Sequence, residues 1–198
     1  MLNENIIRQM REYASLNNVP IISESGLYFL TNYVKQTNIK RVLEVGTAIG
    51  YSAIMMASIS DDIVVTTIER DEKRYLEALK NVKKAGLEDR INLIFNDALN
   101  VKLDDKFDLI FIDAAKAQNQ KFFESFEGNL SDCGTIITDN MNFHGLVDKD
   151  ISTIESRNLR QLVRKIKDYT EFLKNNNKYN TEFFNIGDGL AVSRKNRW

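Results

Sequence analysis

Apolar positions along this chain fall into two alternating rhythms. Over 3–17, Ile6, Ile7, Met10, Tyr13 and Ala14 recur at helical spacing; over 24–37, Leu27, Leu30, Tyr33 and Val34 do the same. Pro20 separates these two helices, because the residue before a proline is pushed out of the helical region. At Arg41–Val45 the rhythm changes to a short apolar run closed by Gly46, the mark of a buried strand. The pattern then predicts a helix over 51–59, a strand over 63–68, a charged helix over 71–85 ended by Gly86, and a strand over 91–95. Strands follow over 107–112 and 134–138, with a helix over 119–130 between them and a long helix over 154–174 after them. Two last strands, 181–186 and 190–193, flank Gly187-Asp188-Gly189, a hairpin signal.

Most of the first five strands are apolar on both faces, so both faces must be covered. That predicts an α/β fold with a doubly wound, mostly parallel seven-stranded sheet and an antiparallel C-terminal edge hairpin. No repeat or linker interrupts the chain, so residues 1–198 read as one domain, with N-terminal helices over 1–37 and the core over 38–198. Ligands of such a sheet sit beyond the carboxyl ends of its strands.

Composition narrows the function classes. Hydrophobic residues make 43% of the chain and charged residues 28%, which excludes a disordered chain. Lys plus Arg number 27 against 28 Asp plus Glu, a net charge of −1, so a bulk electrostatic grip on nucleic acid is excluded while a local basic patch is not. A single cysteine, Cys133, allows no internal disulfide and suits a reducing cytoplasm. No apolar run approaches the ~20 residues of a membrane span. Glu4, Arg8, Arg11 and Glu12 argue against a signal peptide. Cys133 reads as a small hydrophobe in a turn before the fifth strand, and His144 as incidental.

The strand tips hold the candidate chemistry. The first five end around Glu44, Glu69, Asp97, Asp113 and Asp139-Asn140, an acid at each. Single acids there often cap the following helix. Five converging on one rim call for something cationic among them. Gly46 and Gly50 open a glycine-rich loop that lets a ligand approach the backbone, though Ala48 breaks the dinucleotide fingerprint. With Glu69 placed to accept ribose hydroxyls, the pair suits an adenosine ligand without a pyrophosphate. Asp113, Asp139 and Asn140 are hard oxygen donors suited to Mg²⁺, yet an Asx turn explains Asp139-Asn140 as well. Lys116 would lose proton affinity beside a cation and act as a general base, although a solvated lysine is the plainer reading of the residue alone.

Four runs in order, Val42–Ser52, Phe111–Lys116, Ile137–Asn140 and Gly187–Leu190, resemble the cation-dependent O-methyltransferases, which include the catechol and caffeoyl-CoA enzymes. The resemblance covers nearly the whole chain. Within the family it is nearest to the bacterial tRNA 5-hydroxyuridine methyltransferases, echoed in Pro20-Ile21-Ile22, the Gly46–Ala53 loop and the helix after Asp148. It implies a Rossmann-like fold that binds S-adenosylmethionine and Mg²⁺. Asp113, Asp139 and Asn140 would hold the metal. Glu69 would hold the ribose, Glu44 and Gly46 to Ser52 the methionine half, Asp97 and Ala98 the adenine, with Asp113 also facing the cofactor. Ile21 and Ile22 would close over it, and Lys116 would be the base. A homodimer is implied as well. The aromatic side chains that gate flat phenols in the catechol enzymes have no counterpart here.

One segment points to RNA independently. Residues 157–167 carry five basic residues and no acid. Arg157, Arg160, Arg164 and Lys167 share one helical face, Lys165 adds a fifth charge, and Leu159, Leu162, Val163 and Ile166 line the inner face. Alone this is an ordinary solvated helix. Joined to the resemblance, it suits phosphates around a splayed anticodon-loop base of tRNA. Three readings follow: a tRNA wobble 5-hydroxyuridine methyltransferase, a small-molecule catechol or caffeoyl-CoA-type methyltransferase, and a non-enzymatic module that binds an adenosine ligand.

Overall fold

In a computed structural model that describes residues 3–147 and 149–196, a central sheet is covered by helices on both faces. The helices are α1 (Glu4–Leu16), α2 (Glu24–Gln36), α3 (Tyr51–Ala57), α4 (Glu72–Ala85), α5 (Asn119–Phe126) and α6 (Arg157–Asn175). The strands are β1 (Arg41–Val45), β2 (Val64–Glu69), β3 (Ile91–Phe95), β4 (Phe107–Ile112), β5 (Leu130–Asp139), β6 (Tyr179–Phe184) and β7 (Leu190–Lys195). They lie in the order β3-β2-β1-β4-β5-β7-β6. The first five are parallel, and β7 inserts antiparallel between β5 and β6. The order reverses between β1 and β4, which opens a crevice at their carboxyl ends.

The period of two along each strand divides the core. Val42, Leu109, Phe111 and Ile137 point to the face covered by Met10, Leu30, Val34, Ile54 and Val82 of α1 to α4. Their neighbours Leu43, Ile110, Ile112 and Ile136 point to the face covered by Phe122, Phe123 and Phe126 of α5 and Tyr169 and Leu173 of α6. Four of the six α-helices, α1, α2, α4 and α6, begin where a side chain caps them. Ser23 accepts from the Gly26 N–H, Asp71 from Arg74 and Ser156 from Leu159.

Several expectations shift. Helix α5 stops at Phe126 and gives way to a 3-10 turn at Glu127–Asn129, so β5 starts at Leu130 instead of Gly134. Buried Leu130 pairs with Phe107, and the register slips before Thr135 meets Leu109, which leaves Cys133 exposed in the irregular stretch rather than packed. Helix α6 starts at Arg157, because Ser156 caps it; Ile154, which fits the helical period, is buried ahead of the cap. On α6 the inward residues are Val163, Ile166, Tyr169 and Leu173, while Leu159 faces solvent. None of the helices among the described residues is long and apolar enough to cross a membrane.

Phe123 is fully buried and meets the rings of Tyr169, Phe172 and Tyr179 edge-on. Replacing Phe123 by Ala should lower unfolding free energy by about 3–5 kcal/mol in urea titrations, with the fold retained by circular dichroism.

Candidate active site

At the reversal of strand order the ends of β1 and β4 nearly touch. The Asp113 N–H donates to Val45 O at 2.9 Å. A Cβ added to Gly46, whose φ is +106°, would lie 2.3 Å from the Asp113 carbonyl oxygen. Only glycine fits there. The loop beyond it turns through Ala48, also at positive φ (46°), a conformation costly for alanine. The Ala48 N–H is held by Glu69 Oε2 at 2.8 Å, which offsets that strain.

This loop walls a cavity of about 280 Å³. Gly46 and Ser52 form one side, and Glu69, Asp97 and Ala98 the β2–β3 side. Asp113 and Lys116 form the β4 side, and Ile21 and Ile22 the cover. Nine of the ten residues expected to hold cofactor or base therefore meet around one space. The exception is Glu44. It is fully buried beneath the loop, off the cavity wall, and accepts from Ser52 Oγ and Thr67 Oγ1, both at 2.5 Å. Burial pushes its carboxyl up to about 8, against the two hydroxyl donors that favour its charged form. Glu44 is thus a support for Ser52 rather than a ligand contact, and the rim gathers four acids instead of five.

The remaining acids differ in how they are compensated. Glu69 Oε1 accepts from the N–H groups of Arg70 and Asp71, which fixes the carboxylate but leaves acceptor capacity on Oε2. Asp97 caps the turn at Ala98–Asn100 through the Leu99 N–H and pairs with Arg70, so the capping role and a place on the wall coexist. Asp113 keeps 17% of its side chain exposed, faces Lys116 Nζ at 3.6 Å and accepts from Asn140 Nδ2 at 3.5 Å. Asp139 is buried and accepts from the Asn140 N–H at 2.7 Å. Burial raises the carboxyls of both Asp113 and Asp139. The charge of Asp113 pushes Asp139 up further, while Lys116 opposes the rise in Asp113.

Sequence reasoning did not single out Asp188, which lies in the β6–β7 turn. Its Oδ1 accepts from the His144 N–H, its buried Oδ2 has no hydrogen-bond partner, and its charge also raises Asp139. The Gly187-Asp188-Gly189 signal marked the position as a turn without indicating that it folds back onto the β5 tip. Among the described residues no cluster of three or more His, Cys, Asp or Glu forms a metal centre. The donor set at the tip is two carboxylates and one amide. Two mutually repelling carboxylates, one buried and one mostly so, with a third acid nearby whose Oδ2 lacks a hydrogen bond and faces His144 Nδ1 at 3.6 Å, fit a hard divalent cation with few protein ligands.

The cavity cover is tied down from the other side. Tyr51, also on the wall and 3% exposed, accepts from Arg11 Nε at 2.7 Å and lies under its guanidinium. Arg11 Nη1 reaches Glu24 at 2.6 Å. Arg11 thus links α1 to the starts of α2 and α3 on either side of Pro20–Ile22.

The family profile described as O-methyltransferase matches residues 2–196. The chain belongs to this O-methyltransferase family. It is 33% identical to a caffeoyl-CoA O-methyltransferase of Populus kitakamiensis over 193 residues, covering 93% of this chain and 82% of the relative. A solved Staphylococcus aureus structure, described as a candidate caffeoyl-CoA O-methyltransferase, shares 46% identity at TM-score 0.91, covering 96% of this chain and 92% of its own. A Bacillus cereus O-methyltransferase solved in complex with SAH shares 26% identity at TM-score 0.83, with 98% and 92% covered.

Two outcomes follow for this O-methyltransferase. Because native Glu44 holds a proton that the unfolded chain gives up, its contribution is full below about pH 4 and is lost as pH rises through about 8. Wild-type unfolding midpoints should fall between about pH 5 and pH 8, and those of Glu44→Gln should fall less. Arg11→Ala should cost no more than about 1–2 kcal/mol, since its ion pair is exposed, yet raise amide hydrogen exchange across residues 19–24 well above that of β1.

Proposed function

We propose that this chain methylates a hydroxyl flanked by a second oxygen, using S-adenosylmethionine and Mg²⁺ or another hard divalent cation, and that the acceptor is 5-hydroxyuridine at the tRNA wobble position. One observation carries this reading. Asp113 and Lys116 belong at once to the cavity of Gly46, Ser52 and Glu69 and to the cluster of Asp139 and Asn140. A methyl donor in the first and an acceptor at the second share one wall. The SAH found in the Bacillus cereus relative supports the choice of donor.

The donor supplies an electrophilic methyl on its sulfonium. Asp113, Asp139 and Asn140 would hold the cation, which when bound would supply Lewis-acid lowering of the pKa of a substrate hydroxyl. The chain does the rest. Glu69 would accept the ribose hydroxyls, Asp97 and Ala98 would border the adenine, and Ser52, steadied by Glu44, would face the methionine end. Ile21 and Ile22 exclude water from above. Lys116 Nζ, 3.6 Å from Asp113, stands where the acceptor proton must go. Methyl transfer to an oxyanion then depends chiefly on alignment.

The tRNA acceptor is favoured by α6, which packs against the turn at Lys116–Gln118. Arg157, Arg164 and Lys165 on that helix make no hydrogen bond or ion pair with other described residues, so their charges are free for phosphates. Arg160 is not: its Nη1 donates to the carbonyls of Ile154 and Glu155 and holds the helix start. Lys167 reaches the Lys149 carbonyl at 3.5 Å. The basic stripe is therefore shorter than its sequence implies. A small-molecule acceptor, as the caffeoyl-CoA relative's name suggests, uses the same paired oxygens and is the second reading.

Deleting the gene should remove 5-methoxyuridine from bulk tRNA and leave 5-hydroxyuridine in its place, by nucleoside mass spectrometry. Purified protein should restore the methyl group in vitro. Asp139→Ala or a chelator should cut the rate about a thousandfold or more. Turnover of caffeoyl-CoA with unchanged tRNA nucleosides would replace the tRNA reading with the small-molecule one.

A further inference from the structure

A second concavity, about 590 Å³, runs along α6 beside the turn that bears Lys116. Ala117, the residue after Lys116, forms its near wall, one ~3.8 Å backbone step from the proposed base. Asn158, Gln161, Leu162 and Lys165 line the helix side, with Arg164 and Asp168 at its margins. The spacing of 158, 161, 162 and 165 makes a single stripe on the helix. It runs between the buried stripe of Val163, Ile166 and Tyr169 and the basic face of Arg157 and Arg164.

This stripe is mostly exposed and unpaired. Lys165 and Asp168 stand at i and i+3 without pairing, whereas Lys174 pairs with Glu171 at the same spacing farther along the helix. Nothing among the described residues satisfies the side chains of Asn158, Gln161, Arg164 or Lys165. Their chemistry is that of a nucleotide. Leu162 offers an apolar floor for a base face, Asn158 and Gln161 offer donors and acceptors for a base edge, and Arg164 and Lys165 offer cations for a phosphate.

We infer that this groove holds the nucleotide adjacent to the acceptor uridine, with its base edge on Asn158 and Gln161 and its phosphate on Arg164 and Lys165. The inference rests on the RNA reading above and adds a contact to one nucleotide beside the acceptor. It makes α6 a reader of the neighbouring base as well as a source of charge.

The test pairs a change in the protein with a change in the RNA. Anticodon stem-loops carrying 5-hydroxyuridine are made with an intact loop, or with an abasic residue on the 5′ or the 3′ side of the acceptor. In wild-type protein one of the abasic sites should lower kcat/KM about tenfold. In Gln161→Ala with Asn158→Ala the same abasic site should cost less than about twofold, because its partner is already gone. Stem-loop binding to Lys165→Gln, followed by fluorescence anisotropy, should show a salt slope about 0.7 shallower. Equal abasic penalties in wild type and double variant, with both proteins folded by circular dichroism, would overturn the groove and leave the RNA reading standing. A wild-type protein that methylates catechol but no stem-loop would overturn both.

Discussion

The backbone contact between the ends of β1 and β4 sets everything else in this molecule. Gly46 must lie against the Asp113 carbonyl for the two central strands to finish at the same height. That single approach turns the glycine loop toward Glu69 and brings Asp113 to the loop's other side. A side chain at position 46 would force these apart by an ångström or more, and the space between them would lose its shape.

Around that contact the rim handles its acids in three ways. Glu44 is made neutral by burial, with two hydroxyls to satisfy it. Glu69 and Asp97 are each held by backbone N–H groups. Asp113 and Asp139 have neither remedy in full. They share a low-dielectric edge, and Lys116 answers for only part of their charge. The least compensated acidic pair is thus localised to the β4–β5 tips. Perturbed carboxyls of this kind are concentrated at functional sites.

Much of this could be read from the chain. The elements follow from period two and period 3.6, and a parallel sheet sends its strand tips to one rim, so Asp113, Asp139 and Glu69 were findable without coordinates. What could not be read was partnership. Glu44 sits one residue inside its strand tip, and only the fold shows that Ser52 and Thr67 seal it off. Arg160 looks like its basic neighbours until its guanidinium is found closing the turn before its own helix. Arg11 and Tyr51 are 40 residues apart and carry no local signal. The slip in β5 follows from where Leu130 can be buried, which is a property of the packed sheet and not of the segment.

The insertion of β7 between β5 and β6 has a temporal side. Asp139 pairs with Leu190, and the turn that presents Asp188 to the Asp139-Asn140 corner lies between the last two strands. During synthesis the β4–β5 tips leave the ribosome well before that hairpin does. Until it docks, β5 is a bare sheet edge and the loop after Asn140 has no anchor. The corner at Asp139-Asn140 is therefore completed later than the crevice at β1 and β2, whose strands precede it in the chain.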